Sequence, residues 1–485
     1  MKGKLEGLQP ASVFKHFEAI SRIPRESGNE KQISDYLTQY GKDLGLEVIQ
    51  EESLNVIIKK SGTSGYEQAP TVILQGHMDM VCAKKEDFPF DFSKDPIPIF
   101  VEGDYVKTEG TTLGADNGIA VAMIMAILES KELEHPPLEC LFTVAEETGM
   151  DGVRNLHPEH LSGKILINLD SEEEGKMLAS CAGGVRNVVS IPIEWKEANP
   201  QKQSYAITIK GLRGGHSGLE IDKHRASAIK LLGRILKVLH QSFDIQIANV
   251  KGGEKMNAIP KMASAIIVAD LTNRNEIENM VDTYQKVFKK EFEASDPNIQ
   301  IQLNKIESVK RVFSDSTKTN LIHALRLIPA GIQTMSANIE GLVESSNNIG
   351  TLETKEDFII LSSAVRSSVR SLKEEINDRI ASVCDLIGAK MELVSDYPAW
   401  EYEPNSKIRQ IMNEVYKELN NNQEMKVDAV HAGLECGFLQ EKLGKINMVS
   451  IGPNIYNAHT PEESLSISST QRVYQLLTEV LKRIK

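Results

Sequence analysis

Cysteine is scarce and unpatterned: Cys82, Cys140, Cys181, Cys384 and Cys436 are five in 485 residues, with no C-x-x-C spacing among them. A scattered, odd-numbered set disfavours both a disulfide framework and a thiolate zinc site, and it fits a reducing compartment. Positive charge is also in short supply. The net charge is −13, and lysine pairs such as Lys84-Lys85 and Lys289-Lys290 have acids near them. They read as solvated faces, whereas a nucleic-acid footprint needs clustered Lys and Arg. No segment approaches the ~20 apolar residues of a membrane span. The opening MKGKLEGLQPASVF lacks an apolar run of signal-peptide length. The expectation is a cytoplasmic protein without membrane or nucleic-acid partners. No G-x-S-x-G occurs either: Gly215-His216-Ser217-Gly218 runs into Leu219, so a serine-hydrolase elbow is missing.

The composition is that of a globular chain, 41% hydrophobic and 25% charged. Its length exceeds what one core ordinarily serves, which implies two or more domains. Residues 11–23 and 29–45 have the spacing of amphipathic helices, and 53–61 and 71–76 that of strands. Residues 118–128 are small and apolar throughout, as in a buried helix, and 139–145 and 164–170 read as further strands. Apolar strands interleaved with helices predict an α/β sheet covered on both faces.

After about Val185 the pattern changes. Strand 204–211, helix 222–240, strands 243–250 and 262–270, helix 274–294 and strand 299–306 are followed by a looser echo. The echo runs helix 317–328, strands 342–352 and 357–366, helix 371–387 and strand 389–395. This reads as a second, α+β domain built from two related halves, although such units are common enough to coincide by chance. The tail returns to helix 405–420, strand 446–451 and helix 467–484. The boundaries read from the chain are 1–186 and 397–485 for a divided first domain and 187–396 for an insertion.

Acids and histidines repeatedly follow the apolar strands. VILQGHMDMV sets His77 and Asp79 two apart at a strand end, so both side chains point the same way. That suits a metal-binding imidazole steered by a carboxylate, and equally a buried His hydrogen-bonded to an Asp. TTLGADNGIAVAM puts Asp116 in a Gly-flanked turn, where backbone can approach closely, although Asp-Asn-Gly is also a common plain turn. LFTVAEETGMDG brings Glu146 and Glu147 to a strand end, facing different ways, so one acid can ligate while the other handles protons. ILINLD delivers Asp170 in the same manner, and NIYNAHTPEE places His459 in a loop before the last helix. Two histidines and three carboxylates suit a pair of divalent ions. Two dications are then balanced by three carboxylates and one bridging hydroxide, as a low-dielectric cleft favours.

The order H-M-D, G-A-D-N-G, E-E-T-G, N-L-D and N-A-H-T-P-E-E resembles the co-catalytic metallopeptidase family of aminoacylases, glutamate carboxypeptidases and carnosinases. The strings GLRGGHSG, MNAIP, AVRSS, HAGLECG and IGPNIYNAHTPEE are more similar still to its bacterial aminoacyl-histidine dipeptidases. The resemblance runs from His77 to the final helix. It implies a doubly wound α/β catalytic domain interrupted by an α+β lid that mediates a homodimer. It further implies two divalent ions, zinc with cobalt or manganese also compatible, bridged by Asp116. His77 and Asp170 would complete one site, and Glu147 and His459 the other. Glu146 would be general base and acid, Asp79 would orient His77, and the Asp116–Asn117 peptide bond would be cis.

The same resemblance implies that His216, on its Gly-rich turn, polarises the scissile carbonyl across a dimer. Asn257 and Arg366 would hold the substrate's terminal carboxylate, for which a guanidinium fork is well shaped; a surface salt bridge is the alternative for Arg366. Glu435 would receive the substrate's amino group or, equally, hydrogen-bond its own loop. The activity implied is hydrolysis of short peptides with a free amino terminus, Xaa-His dipeptides including β-alanyl-histidine. The alternative within the family is an aminoacylase or carboxypeptidase acting on N-acylated amino acids. A metal-free binding protein would be expected to have lost some of the five ligands, and all five are present.

Overall fold

The runs VILQGH, LECLFT and ILIN form the strands Val72–His77, Leu138–Thr143 and Ile165–Asn168, buried at every position. Strands so uniformly buried belong in a sheet covered on both faces. In this computed structural model, which describes residues 3–485, Val72–His77 pairs in parallel with each of the other two. Asn447–Ser450 extends the parallel set beside Ile165–Asn168. Antiparallel strands complete an eight-stranded sheet. The helix Ala115–Glu129 buries every residue from Asn117 to Leu128. An apolar surface all round needs cover on both sides, which the strand Val72–His77 and the helix Ala11–Ile20 supply.

The chain leaves Val72–His77 for Leu138–Thr143 on one side, then crosses to Ile165–Asn168 on the other. The carboxyl ends of strands around such a reversal leave an open crevice where ligands bind. His77 stands at that edge. A small sheet absent from the sequence reading joins Ile455–Tyr456, Ser464–Ser466, Tyr105–Thr108 and Ile99–Glu102. Its hairpin pairs Ile455 with Leu465 and Tyr456 with Ser464, so His459 and Glu463 ride on the connecting loop.

The chain divides into two compact units, one of residues 1–180, 402–429 and 434–485, the other of residues 181–401 and 430–433. The second unit holds a nine-stranded sheet. Within it, Gln203–Lys210, Gln246–Gly252, Ala263–Ala269 and Gln300–Lys305 alternate with helices Ala228–Ser242 and Arg274–Glu291. Their spatial order is fourth, first, third, second. The other half has the same order, with Gly183–Pro192 first, Val343–Thr354 second, Phe358–Ser367 third and Lys390–Tyr397 fourth. Its helices are Asp315–Leu327 and Arg370–Ile387. The two halves meet edge to edge through the second strand of each, Lys251 opposite Glu353 and Gly252 opposite Leu352. The echo read from the sequence is therefore a real repeat, but its first strand lies upstream of the whole first half.

Candidate active site

Three loops at the carboxyl edge of the parallel strands and the hairpin loop bring the acids and imidazoles together. His77 Nε2 lies 3.1 Å from Asp116 Oδ1 and 3.4 Å from Asp170 Oδ1. His459 Nε2 lies 3.0 Å from Asp116 Oδ2 and 3.1 Å from Glu147 Oε2. Asp116 thus turns one oxygen to each imidazole. The donor atoms of His77, Asp116 and Asp170 form one compact group, those of Asp116, Glu147 and His459 another, and all within each group lie within 4.8 Å. His77, Glu146 and Glu147 also group within that distance.

Asp79 is fully buried and serves several neighbours. Its Oδ1 is 3.3 Å from His77 Nδ1, and Ser27 Oγ donates to its Oδ2 at 2.8 Å. The backbone N–H groups of Glu146 and Glu147 donate to its two oxygens at 3.2 and 3.3 Å. The two glutamates do not end a strand, as the sequence suggested. The strand stops at Thr143, Ala145 turns left-handed at φ 54°, and Glu146 opens the short helix Glu146–Gly149. The acidic first turn of that helix gathers on Asp79 rather than spreading along a strand.

Charge is concentrated here. Burial pushes Glu146 well above the ordinary carboxylate range, and the charges of Asp170, Glu435 and Glu147 add to it against His77. Burial likewise raises Asp170 to about 6 against the charge and hydrogen bond of His77, with smaller upward pushes from Asp116 and Glu147. Hydrogen bonds to Asp116 and Glu147 lift His459 to about 11. His77 is held well above its usual value: burial opposes its charge, but Asp170, Asp116 and Asp79 prevail. Both imidazoles behave as stand-in cations for a cluster that attracts positive charge. Glu147 Oε1 is buried without a hydrogen-bond partner, which an ion would remedy. The imidazole and carboxylate donors and this orphaned oxygen fit divalent metal ions.

The surrounding residues were less legible in sequence. Asn117 Oδ1 accepts the His77 N–H at 3.1 Å, and its Nδ2 donates to Leu169 O at 2.8 Å. One side chain thereby ties together the loops of His77, Asp116 and Asp170. Gly76 makes room for it, since a Cβ there would lie 2.5 Å from Asn117 Oδ1. The Asp116–Asn117 bond is cis. Arg25, buried beneath, donates to the carbonyls of Met78 and Asp79, both at 3.2 Å, and to that of Gly114. Gly114 is left-handed at φ +68°, and a Cβ would press on this guanidinium. Glu435 has no exposed surface. It accepts from Gln75 Nε2 at 2.6 Å and Thr143 Oγ1 at 2.8 Å, and burial raises it to about 8. Both partners lie on the buried strands Val72–His77 and Leu138–Thr143 and bond the same oxygen, Oε2, while Oε1 is buried without a hydrogen-bond partner.

His216, Asn257 and Arg366 belong to the second unit. Gly215–His216 pairs with Ala258–Ile259, and Ser217 N donates to Asn257 O at 2.9 Å. His216 Nδ1 accepts from the N–H groups of Gly218 and Leu219 at 3.3 and 3.1 Å, which leaves the proton on Nε2. Burial and Arg366 lower its pKa, so the neutral donor is kept. Arg366 Nη1 donates to Tyr397 Oη at 2.8 Å, and its Nε is buried and unpartnered. A Cβ on Gly218 would lie 3.1 Å from His216 Cε1 and 3.2 Å from Arg366 Nε, so these two groups converge. His431, which sequence reasoning passed over, bonds Ser346 Oγ at 2.7 Å. Burial and Arg366 hold it down to about 3, and hence neutral.

Known proteins share this architecture. Residues 73–483 match peptidase family M20/M25/M40. The chain is 36% identical over 481 residues to the cytosol non-specific dipeptidase of Escherichia coli (strain K12), covering 99% of each. It superposes on the crystal structure of aminoacylhistidine dipeptidase from Vibrio alginolyticus with a TM-score of 0.95 at 34% identity, covering 99% of this chain and 98% of that one. Aminopeptidase PepT from Bacillus cereus shares the fold, with a TM-score of 0.57 at 15% identity over 98% of this chain and 99% of that one. Matched over nearly its whole length, the chain is a hydrolase and belongs to peptidase family M20/M25/M40.

Proposed function

We propose that this protein is a metal-dependent dipeptidase that binds two divalent ions and cleaves dipeptides with a free amino terminus, Xaa-His dipeptides including β-alanyl-histidine among them. The observation that carries the reading is Asp116, whose two oxygens each face a different imidazole and a different carboxylate. The printed names of the Escherichia coli and Vibrio alginolyticus relatives support dipeptides as substrates. His77, Asp116 and Asp170 would hold one ion, and Asp116, Glu147 and His459 the other; zinc suits these donors, as do cobalt and manganese. When bound, such ions lower the pKa of water and polarise a carbonyl as Lewis acids.

The chain's own groups do the rest. Glu146, raised by burial, takes a proton from the attacking water as its oxygen joins the peptide carbon, and returns it to the leaving nitrogen as the C–N bond breaks. Asp79 holds His77 and both glutamate backbones in place. His216 offers its Nε2–H to the developing oxyanion. Arg366 and Asn257 take the terminal carboxylate, a bidentate match for a guanidinium. A homodimer formed through the second unit and a cytoplasmic location belong to the same reading. The latter is supported by the cytosolic relative; among the described residues no helix is long and apolar enough to cross a membrane.

The experiment is a dipeptide panel on metal-stripped protein, restoring zinc, cobalt or manganese in turn. Hydrolysis of β-alanyl-histidine and other free-amine dipeptides, with N-acetylated analogues rejected, is expected. Equal hydrolysis of the N-acetylated analogues would make the protein an aminoacylase instead.

A further inference from the structure

Glu462 and Glu463 close the string N-A-H-T-P-E-E. Their environments differ sharply: Glu462 is exposed, while Glu463 is 2% exposed and lies at the foot of the His459 loop. Its carboxylate accepts four consecutive backbone N–H groups. Leu113 and Gly114 donate to Oε2 at 2.7 and 2.9 Å, and Ala115 and Asp116 donate to Oε1 at 2.8 and 3.3 Å. Successive amides folded around one anion form a nest, an arrangement otherwise used to bind phosphate or carboxylate ligands. Here the anion comes from the chain itself. The far side of the same turn is held by Arg25 through the Gly114 carbonyl.

We propose that Glu463 is a positioning residue that sets the backbone of the Asp116 turn before any ion arrives, and thereby sets the affinity of the paired metal site. The inference rests on the two-ion reading of the site above. Asp116 must present its two oxygens to two separate ion positions at once, so a small rotation of its backbone spoils both. A four-point hold on residues 113–116 removes that rotation, and the ligand pays less ordering entropy on binding. The same residue joins the hairpin loop bearing His459 to the turn bearing Asp116, so the two ligands of one ion are located relative to each other through Glu463.

Two measurements test this. Glu463→Gln keeps the size but replaces one acceptor oxygen by an amide NH₂, so two of the four amides lose their partner. Titration of metal into the stripped variant should show affinity weakened ~10–100-fold, the range for residues that orient metal ligands, with kcat largely recovered at saturating ion. Hydrogen exchange of the metal-free wild-type chain is the second measurement, and it does not depend on the variant folding. The amides of residues 113–116 should already be protected without metal. Free exchange there until metal is added, or unchanged metal affinity in a folded Glu463→Gln chain, would overturn the proposal. If instead the wild-type chain takes up fewer than two ions, the two-ion reading has failed, and the exchange result still reports on the turn itself.

Discussion

The sharpest perturbation of the chemistry is Glu146→Gln, because the structure separates the side chain's task from its backbone's. The backbone N–H is held by Asp79 Oδ1 at 3.2 Å, and glutamine leaves that contact intact. What disappears is a carboxylate that burial has made a stronger base than an ordinary glutamate. Loss of a positioned general base costs roughly 10²–10⁴-fold in rate, or about 3–5 kcal/mol of barrier at 1.36 kcal/mol per decade. Metal content should stay at two per chain, since neither ligand group containing Asp116 includes Glu146. The pH sign follows from the raised pKa. Such an acid costs the metal-free fold nothing below its unfolded value near 4.3, and an increasing amount as pH climbs toward its folded value. The metal-free variant should therefore melt no lower than the wild type at pH 7, with the two converging below about pH 4. Single-turnover kinetics with metal analysis and thermal melts provide the assay. Departure of metal from Glu146→Gln while Glu147→Gln retains both ions would refute the reasoning and exchange the two roles.

Other consequences follow from the same geometry. Asp116→Ala removes the one carboxylate common to both ligand groups, so both ions should be lost together in plasma-emission analysis; two ions at wild-type affinity would end the bridging role. His459 is raised to about 11 and His77 is raised as well, so at neutral pH metal must displace protons from both. Calorimetry in two buffers of different ionisation enthalpy should detect proton release, with affinity falling as pH drops; no net release would show the histidines already neutral. Mixing His216→Ala chains with Glu146→Gln chains should restore one of the two active sites in each heterodimer if each chain lends His216 to its partner. Proven subunit exchange without recovery would assign His216 to its own chain.

Much of the catalytic framework was legible because buried parallel strands leave long apolar runs. Val72–His77, Leu138–Thr143 and Ile165–Asn168 stand out from their composition, and His77 and Asp170 follow as the polar residues at their ends. The glutamates were harder. The turn at Ala145 is left-handed at φ 54° without the glycine or asparagine that usually marks one, so the sequence reads as a strand running on. Gly183–Pro192 was hidden by its glycines and by an arginine near its start. Arg25 carries no signal in the sequence, and Glu463 only its place at the end of the string N-A-H-T-P-E-E. Each works by bonding backbone atoms of distant segments, Glu463 across 347 positions to Asp116, and the side-chain pattern carries no record of which amides fold back toward a carboxylate.

The interleaving of the second unit's halves also bears on how the chain must be made. Gly183–Pro192 finds both of its sheet neighbours, Phe358–Ser367 and Lys390–Tyr397, only after the entire other half has been synthesised. During translation that half can close its own four strands first, since its contacts are comparatively local, whereas the earlier strand waits with both edges unpaired. Contacts of such long sequence separation form slowly, and waiting edges are open to wrong partners. A ribosome stalled before residue 358 would therefore carry one finished half and an exposed single strand, a substrate suited to a holding chaperone.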